Sequence, residues 1–522
     1  MTRAIRLLPK GIQSFQKMRD KYIYVDKTKH IYDLINQGSY YFLSRPRRFG
    51  KSLLISTFKE LFSGNKKLFN GLWIEQSNYV WNNYTVIQLS LSALATTTAQ
   101  ALYNDLVWKL EDIAFSYAID ITQAPSLQTK FTTLIEQLAK INKVVILIDE
   151  YDYPIINNIH KSEIALECRN VLRDFFSVIK DVDAYIHFVF ITGVSKFSKT
   201  SIFSGLNNLE DLTLDPQAAN LLGYTFEEIS SNFEYYIKKI AAEKKKTIGE
   251  ITEDLKYWYN GYQFSQDSQE KVYNPYSVLL FLSSGRFLNY WFETGTPSFL
   301  LNLIKNKQFP ITDLDSIQLG FDELGTIDIE DIPVATLLFQ TGYLTITGYN
   351  FETENYSLGF PNYEVKSSFL KHLLKAFSRI DLSTINEFAV KLTKSLLHNN
   401  IDLFCRLLQT FFADIPSGIQ IPHLEKYYQT VLYILAKVLN LQVNVEVMTN
   451  IGRIDMIIDT SNYLYIFEFK MHGSAQEALQ QIEEKQYCQK YALLNKSIML
   501  IGIKFDIKKR NVDDWIIKEV LK

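Results

Sequence analysis

The stretch Ser44-Arg45-Pro46-Arg47-Arg48-Phe49-Gly50-Lys51-Ser52 constrains this chain more than any other, because it lies between an apolar run, Tyr40 to Ser44, and a helical pattern from Lys51 to Phe62. A strand, a tight loop ending in Gly-Lys-Ser and a helix make a place to hold phosphate. The first turn of the helix offers unpaired N–H groups and a partial positive charge. In this reading Arg45, Arg47, Arg48, Phe49 and Gly50 wrap the phosphates of a nucleoside triphosphate. Lys51 reaches the β- and γ-phosphates, and the Ser52 hydroxyl ligates Mg²⁺. The general pattern GxxxxGK[ST] has glycine where Arg45 stands, and three arginines in four residues offer charge in compensation. The plainer alternative is a surface loop with a chance Gly-Lys-Ser; the flanking strand and helix speak against it.

A triphosphate site needs a second half, an apolar strand ending in acid. Val144-Val145-Ile146-Leu147-Ile148-Asp149-Glu150 supplies it. Asp149 is placed to hold Mg²⁺ through water and Glu150 to polarise the attacking water, at the strand end where open α/β sheets bind ligands. The alternative is a strand capped by ordinary turn acids. Asp152 reads as a turn or supporting residue. Phe188 to Gly193 is a further strand, whose polar end, Thr192 and then Ser195, could sense the γ-phosphate. Arg169 and Arg173 are four apart and share a helix face. In a homo-oligomer one of them would reach a neighbouring subunit's nucleotide; a solvated or salt-bridged arginine is the plainer reading for both.

Strand-like runs at 40–44, 86–90, 144–148, 187–192 and 211–214, with helical patterns between them, predict an α/β domain over residues 1–225 with a parallel sheet covered on both faces. Residues 226–275 read as a helical lid, opened by one charged amphipathic helix from Phe226 to Lys246. Residues 276–385 hold a helix (Asp331 to Gln340), a hairpin (Gly342 to Thr347 with Tyr356 to Phe360) and a helix (Glu364 to Phe377). That order suggests a winged-helix-like module, whose use is DNA docking or domain spacing in equal measure. Residues 386–522 form a last unit: a helical stretch (Leu392 to Phe412), then a helix, three strands, a helix and a final strand.

The last unit carries a second constellation: Gly452-Arg453-Ile454-Asp455, then Tyr465-Ile466-Phe467-Glu468-Phe469-Lys470. Strand side chains alternate faces, so Glu468 and Lys470 point the same way, and antiparallel pairing across the turn near Asn462 brings Asp455 beside Glu468. Two carboxylates on one face form an oxygen site suited to Mg²⁺, with Lys470 to position water or offset phosphorane charge. An acid inside so apolar a strand is costly unless paired or metal-bound. Glu425, on the preceding helix, could complete the metal shell. Gln481 and Lys485, four apart on the following helix, face the site or serve as ordinary helix surface with equal weight.

Composition narrows the rest. The 55 basic and 57 acidic residues nearly cancel, which excludes a uniformly basic nucleic-acid coat but not a local groove. Three cysteines, none in a CxxC pair, argue against a disulfide framework or a cysteine-rich zinc site. No apolar run approaches the roughly 20 residues of a membrane-spanning helix, and the N-terminus lacks a signal-peptide core. A cytoplasmic protein without membrane partners is expected.

With both sites assembled, the chain resembles a bacterial architecture. Residues 5–215 are similar to the AAA-ATPase-like family through YIYVDKT (22–28), FLSRPRRFGKSLL (42–54), VVILIDEYDYP (144–154) and ITGVSKFSKTSIFSGLNNLEDLT (191–213); arginine at position 45 is usual there. Residues 418–510 resemble a PD-(D/E)XK nuclease-superfamily domain through GRID (452–455), FEFK (467–470) and ALQQIEEKQY (478–487). The resemblance implies an ASCE-type P-loop ATPase, with the Thr192 strand between the Lys51 and Asp149 strands. It also implies Mg²⁺-dependent cleavage of a nucleic acid, with DNA the expected substrate. Defence against foreign DNA or mobile-element biology fits such a pairing. The competing expectation is a nucleotide switch or signalling ATPase whose nuclease-like domain binds nucleic acid without cutting it.

Overall fold

The structure, a computed structural model, describes residues 6–520 except 198–201, 204–205, 269, 294–297, 312–313, 315–316, 326, 416–423, 440, 450–451 and 492. The chain divides into two compact units: Met1–Phe299 with Asp315–Lys366, and Leu300–Leu314 with Ser367–Lys522.

The first unit is built on a five-stranded sheet. Its strands are β1 (Tyr40–Ser44), β2 (Thr85–Ser90), β3 (Val144–Asp149), β4 (Ile186–Gly193) and the short β5 (Glu210–Asp211), in spatial order β2-β3-β4-β1-β5, all parallel. All six residues of β3 are buried. A strand enclosed on both faces needs helices above and below it, which is why it reads as an unbroken apolar run. On the sheet, Phe58 and Phe62 of helix Lys51–Phe62 pack against Phe188 and Phe190 of β4. Helices Leu127–Ala139 and Ser162–Asp181 meet through stacked Phe131 and Phe175. The strand bearing Thr192 lies between those that precede Lys51 and end in Asp149, as the resemblance implies.

The helix expected from Phe226 to Lys246 is two helices, Phe226–Asn232 and Glu234–Lys244. The chain leaves helical geometry at Phe233, whose ring is fully buried among Ile229, Ile237, Tyr259 and Phe281. A third helix, Ile248–Tyr259, begins at a Thr247–Glu250 capping box. The helix–hairpin–helix order further on is present. It comprises helix Val334–Gln340, β7 (Thr345–Asn350) paired with β8 (Asn355–Gly359), and helix Tyr363–Ser378; β6 (Gln318–Gly320) adds to the β8 edge. The first of these helices starts three residues later than the pattern suggested, because Pro333 holds the cap position and restricts the residue before it.

The second unit carries a mixed sheet in the order β13-β12-β11-β10-β9, from β9 (Gln442–Met448), β10 (Arg453–Asp459), β11 (Tyr463–Lys470), β12 (Ser497–Asp506) and β13 (Asn511–Val520). The single closing strand expected from the sequence is a β12–β13 hairpin instead. Parallel β11 and β12 are joined by helix Ala475–Glu484, the crossover that parallel strands require. Gly502 lets that helix lie close: a Cβ there would fall 2.3 Å from the Ala475 carbonyl oxygen and 2.7 Å from the Leu479 nitrogen. The helix expected over 392–412 is two, Leu382–Leu397 and Ile401–Ala413. Asn399 takes a left-handed backbone (φ 54°) and the Asn400 side chain caps the second helix.

Candidate functional sites

The loop after β1 closes on the start of helix Lys51–Phe62. Gly50 precedes that helix with φ 101°, in the left-handed region, and caps it without a side-chain bond, so the first-turn N–H groups face outward unserved by any cap. Lys51 is buried, and its ammonium donates to the carbonyls of Arg45 (2.8 Å) and Pro46 (3.0 Å). Burial pushes its pKa down, against the pull of Asp149, Asp152 and Glu150.

A cavity of about 350 Å³ opens here. Arg47, Arg48, the backbone at Gly50, Lys51, Ser52 and Glu150 form its polar side. Ile12, Met18, Leu53, Ile156 and Leu279 supply apolar wall, and Tyr276 lies beneath the Arg48 guanidinium at 5.0 Å. Cationic donors at one end and apolar surface at the other suit a nucleoside triphosphate. Glu150 holds φ 54° at the end of β3, a strained geometry of the kind concentrated at functional sites. Asp149 is buried and its Oδ1 accepts from the Thr192 hydroxyl at 2.7 Å, joining the ends of β3 and β4. Ser195 is fully buried, with its hydroxyl held inside the protein.

Two expected phosphate ligands lie elsewhere. Arg45 is 1% exposed and turns away from the cavity. Its guanidinium donates to the carbonyls of Ser44 (2.9 Å), Thr213 (2.7 Å) and Ala218 (3.0 Å), and it lies 4.2 Å from the Phe264 ring centroid. Phe49 is buried between Tyr262 and Phe264. Both anchor the loop from behind. Asp152 lines the cavity, and its carboxylate accepts from the backbone N–H of Val194 and Ser195. Burial raises its pKa to about 6, while the Ser195 N–H and the Lys51 charge oppose the rise. The Pro9–Gln13 segment, Met18, Tyr276 and Leu279 were absent from the sequence reading, since no local pattern marks residues that meet only through the fold. Arg173 pairs with its neighbour Asp174 at 3.3 Å, and Arg169 donates to Asn170.

The second site lies on the sheet of the other unit. β10 and β11 pair antiparallel, with Met456 opposite Phe467. That register sets Asp455 beside Glu468, and Asp455 Oδ2 accepts from the Phe469 N–H at 2.8 Å. Glu468 is 2% exposed, and Lys470 Nζ lies 3.8 Å from its Oε1. Gln481, on the crossover helix, ties the group together: its amide donates to Glu468 and its oxygen accepts from Lys470 Nζ at 2.5 Å. Lys485 lies over Gly452, where a Cβ would come within 2.9 Å of its Nζ. Burial and then the Asp455 charge raise the Glu468 pKa to about 8, with Lys470 and Lys485 opposing.

Glu468 Oε2 is buried and has no hydrogen-bond partner among the described residues. A buried carboxylate oxygen of this kind beside a second carboxylate suits a divalent cation, which would supply the missing charge. Among the described residues no cluster of three or more His, Cys, Asp or Glu side chains forms. Glu425 lies on helix Leu424–Val438, and its side chain falls outside the described residues. Among the described residues, no helix is long and apolar enough to cross a membrane.

Comparison with known proteins identifies a family for each of the two regions that carry these residues. Residues 9–203 match a family model described as a predicted AAA-ATPase, and residues 423–515 match one for the PD-(D/E)XK nuclease superfamily. The chain is also 38% identical over 526 residues to an uncharacterized protein from the vnfD 5′ region of Azotobacter chroococcum mcd 1, covering 98% of this chain and 99% of that one. The protein thus belongs to the AAA-ATPase-like family and carries a PD-(D/E)XK nuclease-superfamily domain at its C-terminal end.

Proposed function

We propose that the protein binds and hydrolyses ATP in its first unit and cuts a nucleic-acid phosphodiester bond in its second, with DNA the expected substrate and Mg²⁺ serving both sites. The observation that carries the cutting half is the convergence of Asp455, Glu468 and Lys470, with one Glu468 oxygen buried and unserved. Mg²⁺ bound there would polarise the phosphate and lower the pKa of a coordinated water. Asp455 and Glu468 would hold the ion, Lys470 would stabilise charge on the phosphate, and Gln481 keeps Glu468 and Lys470 in register. In the first unit Lys51 would leave its two loop carbonyls for the β- and γ-phosphates. Ser52 and Asp149 would hold the ion, Thr192 fixes Asp149, and Glu150 would orient the attacking water.

Purified protein assayed for ATP hydrolysis and for cleavage of DNA and RNA in Mg²⁺, with and without ATP, tests both halves. Lys51→Ala is expected to abolish ATP binding, and Glu150→Gln to keep binding while blocking turnover. Asp455→Ala is expected to abolish cleavage. Unchanged cleavage by Asp455→Ala refutes the nuclease assignment, and equal hydrolysis by Glu150→Gln removes that residue from the base role. A wild type that binds DNA and never cuts it points to the switch reading.

A further inference from the structure

Two loops border the phosphate end of the cavity: residues 45–49 after β1 and residues 194–197 after β4. Both run to the same place. In the first, the Arg47 carbonyl accepts from the Trp291 indole N–H at 3.0 Å. Pro46 of that loop packs on Gly342, where φ is +89° and a Cβ would lie 2.6 Å from Pro46 Cβ. Trp291 is fixed in turn, because the buried Glu364 carboxylate accepts from its backbone N–H (2.6 Å) and from the Ser277 hydroxyl (2.7 Å).

In the second loop, the Lys196 N–H donates to Gln340 Oε1 at 2.8 Å, and the Lys196 carbonyl accepts from the Ile327 N–H at 3.0 Å. Gln340 is 4% exposed, and its amide nitrogen donates to the Leu324 carbonyl at 3.0 Å, so both ends of the side chain are committed. At its other end this loop hangs on Asp152, through the N–H groups of Val194 and Ser195. Gln340 ends helix Val334–Gln340, and Gly342 lies two residues beyond it.

We infer that helix Val334–Gln340 is the output element of the nucleotide site, with Gln340 and Trp291 as positioning residues that tie it to the two loops bordering the phosphates. A packed helix pinned at one end by two loops cannot deform smoothly; it shifts or it stays. A change at either loop, such as Lys51 leaving the Arg45 and Pro46 carbonyls, therefore reaches the helix and the β7–β8 hairpin that follows it. The inference rests on the ATP reading above and adds the route by which occupancy is read.

The test is hydrogen–deuterium exchange on the full chain with and without ATP and Mg²⁺, with ATP affinity and steady-state hydrolysis measured on the same samples. In wild type, ATP is expected to change exchange across residues 337–344. Gln340→Met, which keeps side-chain length but removes both bonds, is expected to abolish that response. It should lower kcat roughly 10–100-fold with little change in KM, the signature of a misplaced group that acts after binding. Trp291→Phe, which keeps an aromatic ring but removes the indole donor and part of the ring system beside Gly342, provides a second variant with the same loss of response. ATP binding by wild type without a change over 337–344 overturns this inference alone, as does a wild-type response in both variants. No ATP binding by wild type overturns this inference and the ATP reading together.

Discussion

Arg45 is the residue whose replacement most sharply separates two physical pictures of the loop. If it met phosphate, its loss would cost ATP affinity and leave stability alone. The structure places it as an internal strut holding three carbonyls. Arg45→Met preserves much of the volume against Phe264 and removes the donors. Hydrogen bonds from a charged group contribute roughly 1.5–3 kcal/mol each. The Ala218 carbonyl keeps a second donor, the Leu221 N–H at 3.3 Å, so its loss is cushioned. Against the total stands the cost of burying a guanidinium, several kcal/mol, visible in a pKa driven by burial down to about 9. The expected net is a loss of about 2–4 kcal/mol. Urea unfolding followed by tryptophan fluorescence reads it, since Trp73, Trp81, Trp108, Trp258 and Trp291 all lie in the first unit and only Trp515 in the second. An unchanged midpoint, together with ATP affinity lost far more than ADP affinity, would refute the strut.

Three further outcomes are expected. Gln481→Leu removes the amide between Glu468 and Lys470; cleavage should fall roughly 10–100-fold with circular dichroism unchanged, as for other residues that orient metal-site groups. Gly502→Ala forces a methyl against the Ala475 carbonyl; overpacking of this kind costs about 1–3 kcal/mol, and thermal unfolding of the second unit should register it. Asp152 has a folded pKa raised to about 6, above its unfolded value near 3.8. Between those values the native state holds more protons than the unfolded one, so its contribution to stability falls as pH rises from about 4 to 6 and stays lost above. Asp152→Asn should therefore stabilise the first unit at pH 7.5 relative to wild type and show no gain at pH 4; equal effects at both pH values would contradict the burial argument.

The strand–loop–helix around Lys51 and the buried strand ending in Asp149 were legible because local patterns encode them: an unbroken apolar run, a glycine before Lys51, a helical repeat after it. The Asp455, Glu468, Lys470 face followed from strand alternation together with antiparallel pairing across the turn near Asn462. The break at Asn399-Asn400 was missed in the single helical stretch read from Leu392 to Phe412, although its signal is local: a residue tolerant of left-handed backbone followed by a capping side chain. Phe233 carried no such mark; there the helix breaks at a residue whose ring is buried in the core.

What the sequence by itself determined is which residue types stand at the ends of strands, because backbone periodicity and turn chemistry act over a few neighbours. It could not say which of the three arginines within residues 45–48 faces a ligand. Arg45 goes inward and Arg47 and Arg48 outward only because Thr213, Ala218 and Phe264, far along the chain, close around the first. Gly502 likewise gains its meaning only when a helix from another part of the chain lies on it and brings Gln481 to Glu468. Such assignments belong to tertiary structure because burial and hydrogen-bond satisfaction are properties of the assembled surroundings, not of the residue.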